Sequence, residues 1–312
     1  MAQHVIVVAG GLSHERQISL ESGHRVAREL SQAGFEVTLS DIQPSLLDLI
    51  DKLDRPVIFP MLHGGAGEDG AVHEVFELIG VPYVGTTAVA CRASYDKALA
   101  IPVVARAGLT VPKRVILPHD MFRDLGAPTL MRLIEDRLGL PLFVKPSASG
   151  SALGASRVDR IEDLPTALVN AYSYGRVAVV EEFIEGTEIA VPVFDLGDGP
   201  IAFPPVEIRP ASGVYDFEAR YTAGATTYVC PAALDYDSVA ACQAAAVEAH
   251  KSLRLRDLSR ADIIVRDGQP VFIESSVAPG MTETSLVPLS LATADESLAD
   301  ALATLVRRAA VR

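Results

Sequence analysis

The first quarter of the chain consists of short apolar runs that alternate with helix-type segments, and this pattern constrains its fold. Strands are predicted at residues 4–9, 35–40 and 56–62, and helices at about residues 17–33, 46–53 and 71–79. This alternation predicts a parallel sheet with helices on both faces, whose functional side chains lie in loops at the carboxyl ends of the strands. Two of those loops are glycine-rich, Gly10–Glu15 and His63–Gly70. Neither contains G-x-G-x-x-G, so a dinucleotide-binding domain is not indicated.

A second constraint lies near the C-terminus, where two apolar runs flank a turn-prone tetrapeptide. The runs are Ile263–Val265 and Val271–Ile273, and Asp267–Pro270 between them favours a β-hairpin. Asp262 precedes one run and Glu274 follows the other, so strand pairing would set these carboxylates opposite each other at one end of the hairpin. Two neighbouring acidic side chains can hold a hard cation such as nucleotide-bound Mg2+. A pair of solvated acids at strand ends is the alternative.

The composition of the chain argues against several classes of function. A length of 312 residues predicts two or three domains. The formal net charge of -13 disfavours nucleic acid as the main partner, because phosphate backbones bind basic surfaces. No run reaches the ~18 apolar residues of a membrane helix, and the N-terminus enters a strand without a basic signal-peptide region. Three separated cysteines indicate neither a disulfide framework nor a zinc site. Small-molecule partners, no membrane association and a reducing, cytoplasmic location are therefore expected.

The middle of the chain carries candidate nucleotide contacts. Lys145 ends an apolar strand and precedes a Gly/Ser-rich loop, Ser147–Gly154, whose backbone N–H groups could approach phosphates while the lysine supplies charge. Glu181 and Glu188 flank Phe183 and the following isoleucine, so the carboxylates could hold ribose hydroxyls while the apolar pair packs on a base. A mobile surface loop and an exposed strand face are the respective alternatives. Changes in the character of the sequence predict domain boundaries near residues 93 and 180.

Taken together, these segments resemble the D-alanine–D-alanine ligases, which are members of the ATP-grasp group. The match runs nearly end to end and keeps the order and spacing of the family motifs. In chain order, these are Gly10-Gly11-x-Ser13-x-Glu15-x-x-Ile18-Ser19, His63-Gly-x-x-Gly67-Glu-Asp-Gly70, Pro82-Tyr-x-Gly85, Asp96-Lys97, Lys145-Pro with Gly150-Ser151-x-x-Gly154, Glu181 with Gly186-x-Glu188, Tyr215-Asp-x-Glu-Ala219-x-Tyr221, Cys230-Pro-Ala, Arg260-x-Asp262, and Glu274 with Pro279-Gly-Met-Thr282-x-x-Ser285-Leu-x-Pro288.

The resemblance implies an ATP-grasp fold of the α/β and α+β class, in which an N-terminal parallel-sheet domain joins two α+β domains that clasp ATP. An N-terminal α/β substrate-binding domain would cover residues 1–93, a central ATP-grasp lid domain residues 94–180, and a C-terminal ATP-grasp catalytic domain with the metal site residues 181–312. The implied reaction is ATP-dependent ligation of two D-alanines through an acyl phosphate, which supplies D-alanyl-D-alanine for peptidoglycan and hence for the cell wall and cell shape. ATP and Mg2+, with Mn2+ as an alternative, are the implied cofactors, and a homodimer is the implied assembly.

The resemblance also implies roles for individual residues. Glu15 would hold the ammonium of the first substrate and be linked through Ser151 to Tyr221, while Arg260 and the Gly280 N–H would stabilise the tetrahedral oxyanion. His63 would lie by the first substrate, and Ser285 and Leu286 by the carboxylate of the second. ATP would be held by Lys97, Lys145, Gly150, Ser151, Glu181, Phe183, Glu188 and Arg220, and the metal by Asp262, Glu274 and Ser276.

Two positions depart from the family pattern. Ser276 offers a hydroxyl where the family has asparagine, a weaker ligand for the second Mg2+, and Arg220 stands where the covering loop usually has lysine. Tyr221 is retained, as in family members that form dipeptides rather than depsipeptides. The departures keep two alternatives open: a ligase of another D-amino acid or amine acceptor, and a nucleotide-binding homologue with little catalysis.

Overall fold

The computed structural model describes residues 3–222 and 224–312, except for the side chains of Phe217 and Tyr221. The chain begins with a parallel sheet of order β2-β1-β3, formed by β1 (His4–Val8), β2 (Glu36–Ser40) and β3 (Val57–Pro60). The strands are followed by helices α1 (Arg16–Gln32), α2 (Ser45–Lys52) and α3 (Ala71–Ile79), with a 3-10 turn at Gly65–Gly67. The predicted parallel sheet is therefore confirmed.

Strand β1 is buried on both faces, which accounts for its continuous apolar sequence. Its residues enter two cores in alternation. One core is shared with Val26 of α1 and Leu302 of the C-terminal helix, and the other with Leu46 of α2 and Phe76 of α3. The C-terminal helix thus completes the N-terminal sheet, a long-range contact that local periodicity does not reveal.

A second, antiparallel sheet follows two connecting helices. The helices are α4 (Ala88–Tyr95) and α5 (Lys97–Arg106). The sheet has the order β4-β7-β5-β6, with strands β4 (Arg114–Pro118), β5 (Leu142–Pro146), β6 (Ser156–Val158) and β7 (Val177–Glu182). Helices α6 (His119–Leu125), α7 (Ala127–Leu138) and α8 (Leu164–Tyr172) accompany it, and Ile134 and Leu164 pack with Val144 and Val180 in its core.

The largest sheet is antiparallel and occupies the C-terminal part. Its order is β11-β10-β8-β12-β13, with β9 also paired to β8. The strands are β8 (Thr187–Asp195), β9 (Pro200–Ala202), β10 (Val206–Pro210), β11 (Thr226–Val229), β12 (Leu258–Arg266) and β13 (Gln269–Ser276). The helices of this part are α9 (Phe217–Tyr221), α10 (Tyr236–Ser252), α11 (Leu286–Thr293) and α12 (Leu298–Ala310). Cys91 of α4, Val104 of α5 and Ala246 of α10 share a core with Phe272 of β13.

The domain limits at residues 93 and 180 remain predictions. Strand β7 continues across residue 180 to Glu182. Helix α4 spans residue 93, and both α4 and the following α5 pack on the largest sheet. Among the described residues, no helix has the length and apolar character needed to cross a bilayer.

Candidate active site

The hairpin of β12 and β13 places four polar side chains on one face of the largest sheet. Arg260 pairs with Ser276, and Asp262 with Glu274, in the antiparallel register. Because side chains alternate along a strand, all four project from the same face. The predicted hairpin and its opposed carboxylates are confirmed. The acids lie within the strands rather than at their ends, because β12 begins at Leu258 and is held there by pairing with β8.

Each carboxylate of this hairpin is paired with a cation. The Arg260 guanidinium donates from Nε to Asp262 Oδ1 (2.6 Å) and from Nη2 to Oδ2 (2.8 Å). Lys97 Nζ lies 3.0 Å from Glu274 Oε2 and also donates to Ser149 O (2.9 Å). Burial by itself would raise the pKa of Glu274, but Lys97 and two further cations outweigh it and lower that pKa to about 2. Glu274 is therefore ionised at any physiological pH.

The start of α5 brings Lys97 to the hairpin. The Asp96 side chain accepts from Ala98 N (2.9 Å), which caps the helix and satisfies one of its free N–H groups. Lys97 N donates to Ser147 O (2.8 Å), so the helix start is bound to the loop between β5 and β6. That loop, residues 147–155, contains two non-glycine residues with positive φ, Ser151 and Ala152.

The oxygen atoms of the hairpin suit a hard cation. Asp262 and Glu274 supply carboxylates and Ser276 a hydroxyl, which belong to the ligand types that Mg2+ accepts. Within residues 3–222 and 224–312, no group of three or more His, Cys, Asp or Glu side chains is arranged to hold a metal. A cation that arrives with nucleotide phosphates and takes part of its coordination from them fits such a sparse set of protein ligands.

A polar cavity lies between the N-terminal loops, the hairpin and the Pro279–Ser285 loop. Glu15, at the N-terminus of α1, projects into it and accepts a hydrogen bond from Ser151 Oγ. Two glycines make room for this carboxylate, because a Cβ on Gly64 would lie 2.4 Å from Glu15 Oε2 and a Cβ on Gly150 2.8 Å from the same atom. Gly64 also has φ of +67°, where a side chain is strained.

A second carboxyl group, Glu68, lies beside Glu15 in the polar cavity. Glu68 is 9% exposed, and its Oε1 accepts from Gly64 N (2.8 Å). Burial, and then the negative charge of Glu15, raise the pKa of Glu68 to about 8. At neutral pH the pair therefore carries one negative charge rather than two, which suits a site for a single ammonium group.

The far wall of the polar cavity is the Pro279–Ser285 loop. Thr282 N donates to Ser285 Oγ (2.9 Å), and a Cβ on Gly280 would lie 2.9 Å from the same oxygen. Leu286 follows as the first residue of α11 and also lines the cavity. Gly280 and the hairpin residues Arg260 and Ser276 thus line the same cavity.

A second cavity, which we call the apolar-walled cavity, lies between the central sheet and the largest sheet. Its walls include Phe143, Ile264 and Ile273. The Phe143 and Phe183 rings are 6.2 Å apart, and the Arg157 guanidinium lies 4.3 Å from the centre of the Phe183 ring. Flat apolar walls with a nearby cation suit a planar heterocyclic base.

Charged groups at the inner end of the apolar-walled cavity are buried. Lys145 Nζ lies 2.5 Å from Glu181 Oε1, and both residues are at most 5% exposed. In the described part of the chain, Glu181 Oε2 is buried without a hydrogen-bond partner, so this oxygen can accept from a ligand. Burial raises the pKa of Glu188 to about 7 although Arg220 opposes that shift.

The two cavities share part of their lining. Lys97, Ser149, Tyr215, Arg220 and Glu274 line both of them. Arg220 stacks over the Tyr215 ring at 4.2 Å. Burial would lower the pKa of Arg220, but surrounding groups, foremost Tyr215 and two of the acids, raise it. A permanent cation therefore lies where a group could pass between the two cavities.

Comparison with known proteins identifies the family. The family model described as D-ala D-ala ligase C-terminus matches residues 103–307, and the one described as D-ala D-ala ligase N-terminus matches residues 43–86. The chain belongs to the D-alanine–D-alanine ligase family. Two relatives carry the name D-alanine–D-alanine ligase. The one from Desulforudis audaxviator is 34% identical over 315 residues, with 100% of both chains covered. The one from Nitrosomonas eutropha is 36% identical over 290 residues, with 92% of this chain and 90% of the relative covered.

Solved structures of this family have the same fold. A D-alanine–D-alanine ligase from Bacillus anthracis is 28% identical with a TM-score of 0.83, covering 99% of this chain and 97% of that one. Its complex with ATP gives a TM-score of 0.82 at 26% identity, covering 100% and 98%. The VanG D-Ala:D-Ser ligase from Enterococcus faecalis gives a TM-score of 0.84 at 27% identity, covering 99% and 100%. The predicted ATP-grasp fold, with its parallel-sheet and antiparallel-sheet parts, is confirmed.

The structure brings the predicted site residues of this D-alanine–D-alanine ligase family member together. Those in the polar cavity only are Glu15, His63, Gly150, Ser151, Arg260, Ser276, Gly280, Ser285 and Leu286. Those in the apolar-walled cavity only are Lys145, Glu181, Phe183, Glu188 and Asp262, while Lys97, Arg220 and Glu274 line both. Gly150 and Ser151, predicted as ATP contacts, thus line the polar cavity. The side chain of Tyr221 lies outside the described residues.

Several lining residues were not predicted from the sequence. Phe143 could have been found, because it is two residues before Lys145 and therefore on the same face of β5. Arg157 and Tyr228 follow loops of irregular shape, and no sequence periodicity connects them to the cavities that they line.

Proposed function

We propose that this chain catalyses the ATP-dependent joining of two D-alanines into D-alanyl-D-alanine, with release of ADP and phosphate, for peptidoglycan synthesis. The observation that carries the proposal is the junction of the two cavities at Lys97, Arg220 and Glu274, in a chain of this family. An apolar-walled cavity with buried cations suits ATP, and a polar cavity in which a neutral Glu68 lies beside Glu15 suits a small amino acid with one ammonium group.

In the proposed complex, ATP occupies the apolar-walled cavity. Its base packs on the aromatic wall, and Glu181 Oε2 accepts a hydrogen bond from the nucleotide. Lys97 and Lys145 neutralise phosphate charge from the two sides of the loop of residues 147–155. Asp262 and Glu274, with Ser276, would hold Mg2+, or Mn2+ as the alternative, which supplies further neutralisation of the phosphates when bound.

The polar cavity would hold both amino acids. Glu15, fixed by Ser151, binds the ammonium of the first D-alanine. The carboxylate of this D-alanine then points toward the junction of the two cavities. This carboxylate attacks the γ-phosphorus of ATP, which makes an acyl phosphate and releases ADP. The amine of the second D-alanine then attacks the acyl carbon, and phosphate leaves from the tetrahedral intermediate.

The hairpin and the Gly280 turn would stabilise that intermediate. Arg260 stays positively charged although it is buried, because Asp262 accepts hydrogen bonds from two of its nitrogen atoms. Arg260 and Gly280 line the same cavity. An arginine and a backbone N–H aimed at a developing oxyanion are a strong source of rate enhancement. Ser285 and Leu286, at the N-terminus of α11, would receive the carboxylate of the second substrate.

The test is phosphate release from ATP with Mg2+ in the presence of single D- and L-amino acids, with products identified by mass. D-alanine should give D-alanyl-D-alanine with one phosphate per dipeptide. Absence of dipeptide with D-alanine, although ATP binds, would overturn the proposal.

A second candidate acceptor is D-serine. The VanG structure is named a D-Ala:D-Ser ligase, and the acceptor side of the polar cavity here is lined by hydroxyls of Thr282, Thr284 and Ser285. A reaction that contains D-alanine and D-serine in equal amounts distinguishes the two acceptors. We expect it to form more D-alanyl-D-alanine than D-alanyl-D-serine. The reverse ratio would favour the D-serine acceptor.

We further propose that the enzyme is a cytoplasmic homodimer that binds neither nucleic acid nor membranes. The proposal follows the family resemblance and the acidic net charge of -13. Light scattering coupled to gel filtration would give twice the chain mass of 33.1 kDa.

A further inference from the structure

Helix α1 reaches the Pro279–Ser285 loop through two side chains. Ser22 and Arg25 lie one turn apart on the same helix face. Met281 N donates to Ser22 Oγ (3.0 Å), and Arg25 Nη1 donates to Thr282 O (2.8 Å). Ser22 and Met281 are both completely buried, so no solvent water replaces the bond between them.

Ser22 also bonds to His63, and the partners of the imidazole fix its tautomer. His63 Nδ1 lies 2.8 Å from Ala278 O, and a carbonyl can only accept, so Nδ1 carries the proton. Burial lowers the pKa of His63, which keeps the ring neutral and Nε2 unprotonated. The Ser22 hydroxyl therefore donates to His63 Nε2 (3.1 Å) while it accepts from Met281 N.

These bonds hold both ends of a short turn. His63 binds the carbonyl of Ala278, Ser22 binds the N–H of Met281, and the two side chains bind each other. Pro279 and Gly280 lie between the two attachment points. Both ring nitrogens of His63 are thus engaged within the protein, although the ring lines the polar cavity.

We propose that Ser22 is a positioning residue that, together with His63, fixes the Gly280 N–H for oxyanion binding. The inference rests on the proposed function, which assigns that N–H to the tetrahedral intermediate. Without the Ser22 hydroxyl, the buried Met281 N–H has no partner and the turn shifts to find one. The bound substrates do not depend on that N–H, whereas the transition state does, so the loss falls on kcat rather than on KM.

The variant that tests this is Ser22→Ala, with Ser31→Ala as the matched control. Ser31 lies on the same helix, and its exposed hydroxyl donates to Ala27 O, its one hydrogen bond among the described residues. Ser22→Ala should lower kcat by ~10-fold or more. This loss is smaller than the ~100-fold or greater loss expected when an oxyanion donor itself is removed. KM for ATP and D-alanine should stay within about two-fold, while a phosphinate analogue of the dipeptide, which imitates the tetrahedral intermediate, should bind ~10-fold more weakly. An unchanged kcat, or a loss confined to KM, would overturn the inference.

His63→Asn provides the second arm, because the asparagine amide can replace Nδ1–H toward Ala278 but cannot reach Ser22. If the two residues act as one clamp, the double variant should lose little more than the worse single variant. Fully additive losses would contradict the clamp.

Amide hydrogen exchange separates this inference from the proposed function. In Ser22→Ala, the Met281 N–H should exchange ~10-fold faster than in the parent and in Ser31→Ala, whatever the substrate. Unchanged exchange would refute the clamp even in an active enzyme. A parent enzyme that makes no dipeptide, but whose Met281 N–H exchanges faster in Ser22→Ala, would refute the proposed function and leave the clamp standing.

Discussion

Replacement of Glu68 by glutamine should make the protein more stable at neutral pH but not at acid pH. Glu68 is buried, and burial together with Glu15 raises its pKa from 4.5 to about 8. Glu274 adds to the shift, whereas Arg260 and the Gly64 N–H oppose it. The folded protein therefore keeps a proton on Glu68 that the unfolded chain loses once the pH exceeds about 4.5.

The sign and size of the effect follow from that difference. A carboxyl group whose pKa is raised by folding makes its best contribution to stability below the unfolded pKa, and this contribution is lost as the pH rises toward the folded pKa. At 1.36 kcal/mol per pH unit, the interval from 4.5 to pH 7 corresponds to about 3 kcal/mol. Glutamine has no proton to lose, and its amide oxygen can still accept from Gly64 N.

Urea denaturation of the parent and of Glu68→Gln, followed by circular dichroism from pH 5 to pH 8, measures this difference. The free energy of unfolding of the variant should lie within about 1 kcal/mol of that of the parent at pH 5 and exceed it by about 3 kcal/mol at pH 7. Glu21→Gln, at an exposed position of α1, controls for the loss of one carboxyl group. A stability difference that does not change with pH, or a variant less stable than the parent at pH 7, would refute the assignment of Glu68 as a neutral acid.

Three further outcomes are expected. Gly64→Ala should displace Glu15 and raise KM for D-alanine, since the new Cβ would lie 2.4 Å from the carboxylate. Gly65 also has a positive φ, but no atom of the described residues lies within 4 Å of its Cβ position, so Gly65→Ala should cost only about 1–2 kcal/mol of stability. Equal KM values in the two variants would argue against the contact. Ser276→Asn should lower the Mg2+ concentration needed for half-maximal activity, because an amide carbonyl is a better ligand than a hydroxyl; an unchanged Mg2+ titration would show that this position does not bind the ion. Glu181→Gln should lower the free energy of unfolding by about 3–5 kcal/mol, because Lys145 would stay buried without its paired carboxylate. It should also raise KM for ATP, and full stability in the variant would contradict that pairing.

Local patterns in the sequence were sufficient to predict the parallel sheet and the hairpin. The alternation of apolar runs with helical periodicity depends on neighbouring residues alone, and the hairpin follows from one short turn. The direct opposition of Asp262 and Glu274 also depends on a register shift between Asp262 and Ile263, which the sequence did not reveal. The grouping of the site residues across the chain came from the family motifs, since no periodicity connects Lys97 with Glu274.

Other features could not be predicted because they depend on contacts between distant segments. Helix α12 looks like an ordinary amphipathic helix, and only the folded chain shows that it covers the N-terminal sheet. Ser22 resembles any small polar residue of a helix until its partners at Met281 and His63 are visible. The charge state of Glu68 likewise requires its depth of burial and its distance from Glu15, neither of which is encoded locally.

The register of the β12–β13 hairpin has a consequence for the mutations that the gene can accept. Arg260, Asp262, Glu274 and Ser276 share a face because their spacing is even on each strand and because a register shift between Asp262 and Ile263 sets Asp262 opposite Glu274. A substitution changes one of these side chains. A one-residue insertion or deletion within a strand of the hairpin would instead turn every later side chain of that strand to the opposite face of the sheet. The spacing of Arg260 to Asp262 and of Glu274 to Ser276 should therefore be kept among descendants of this gene more strictly than the identity of any single residue between them.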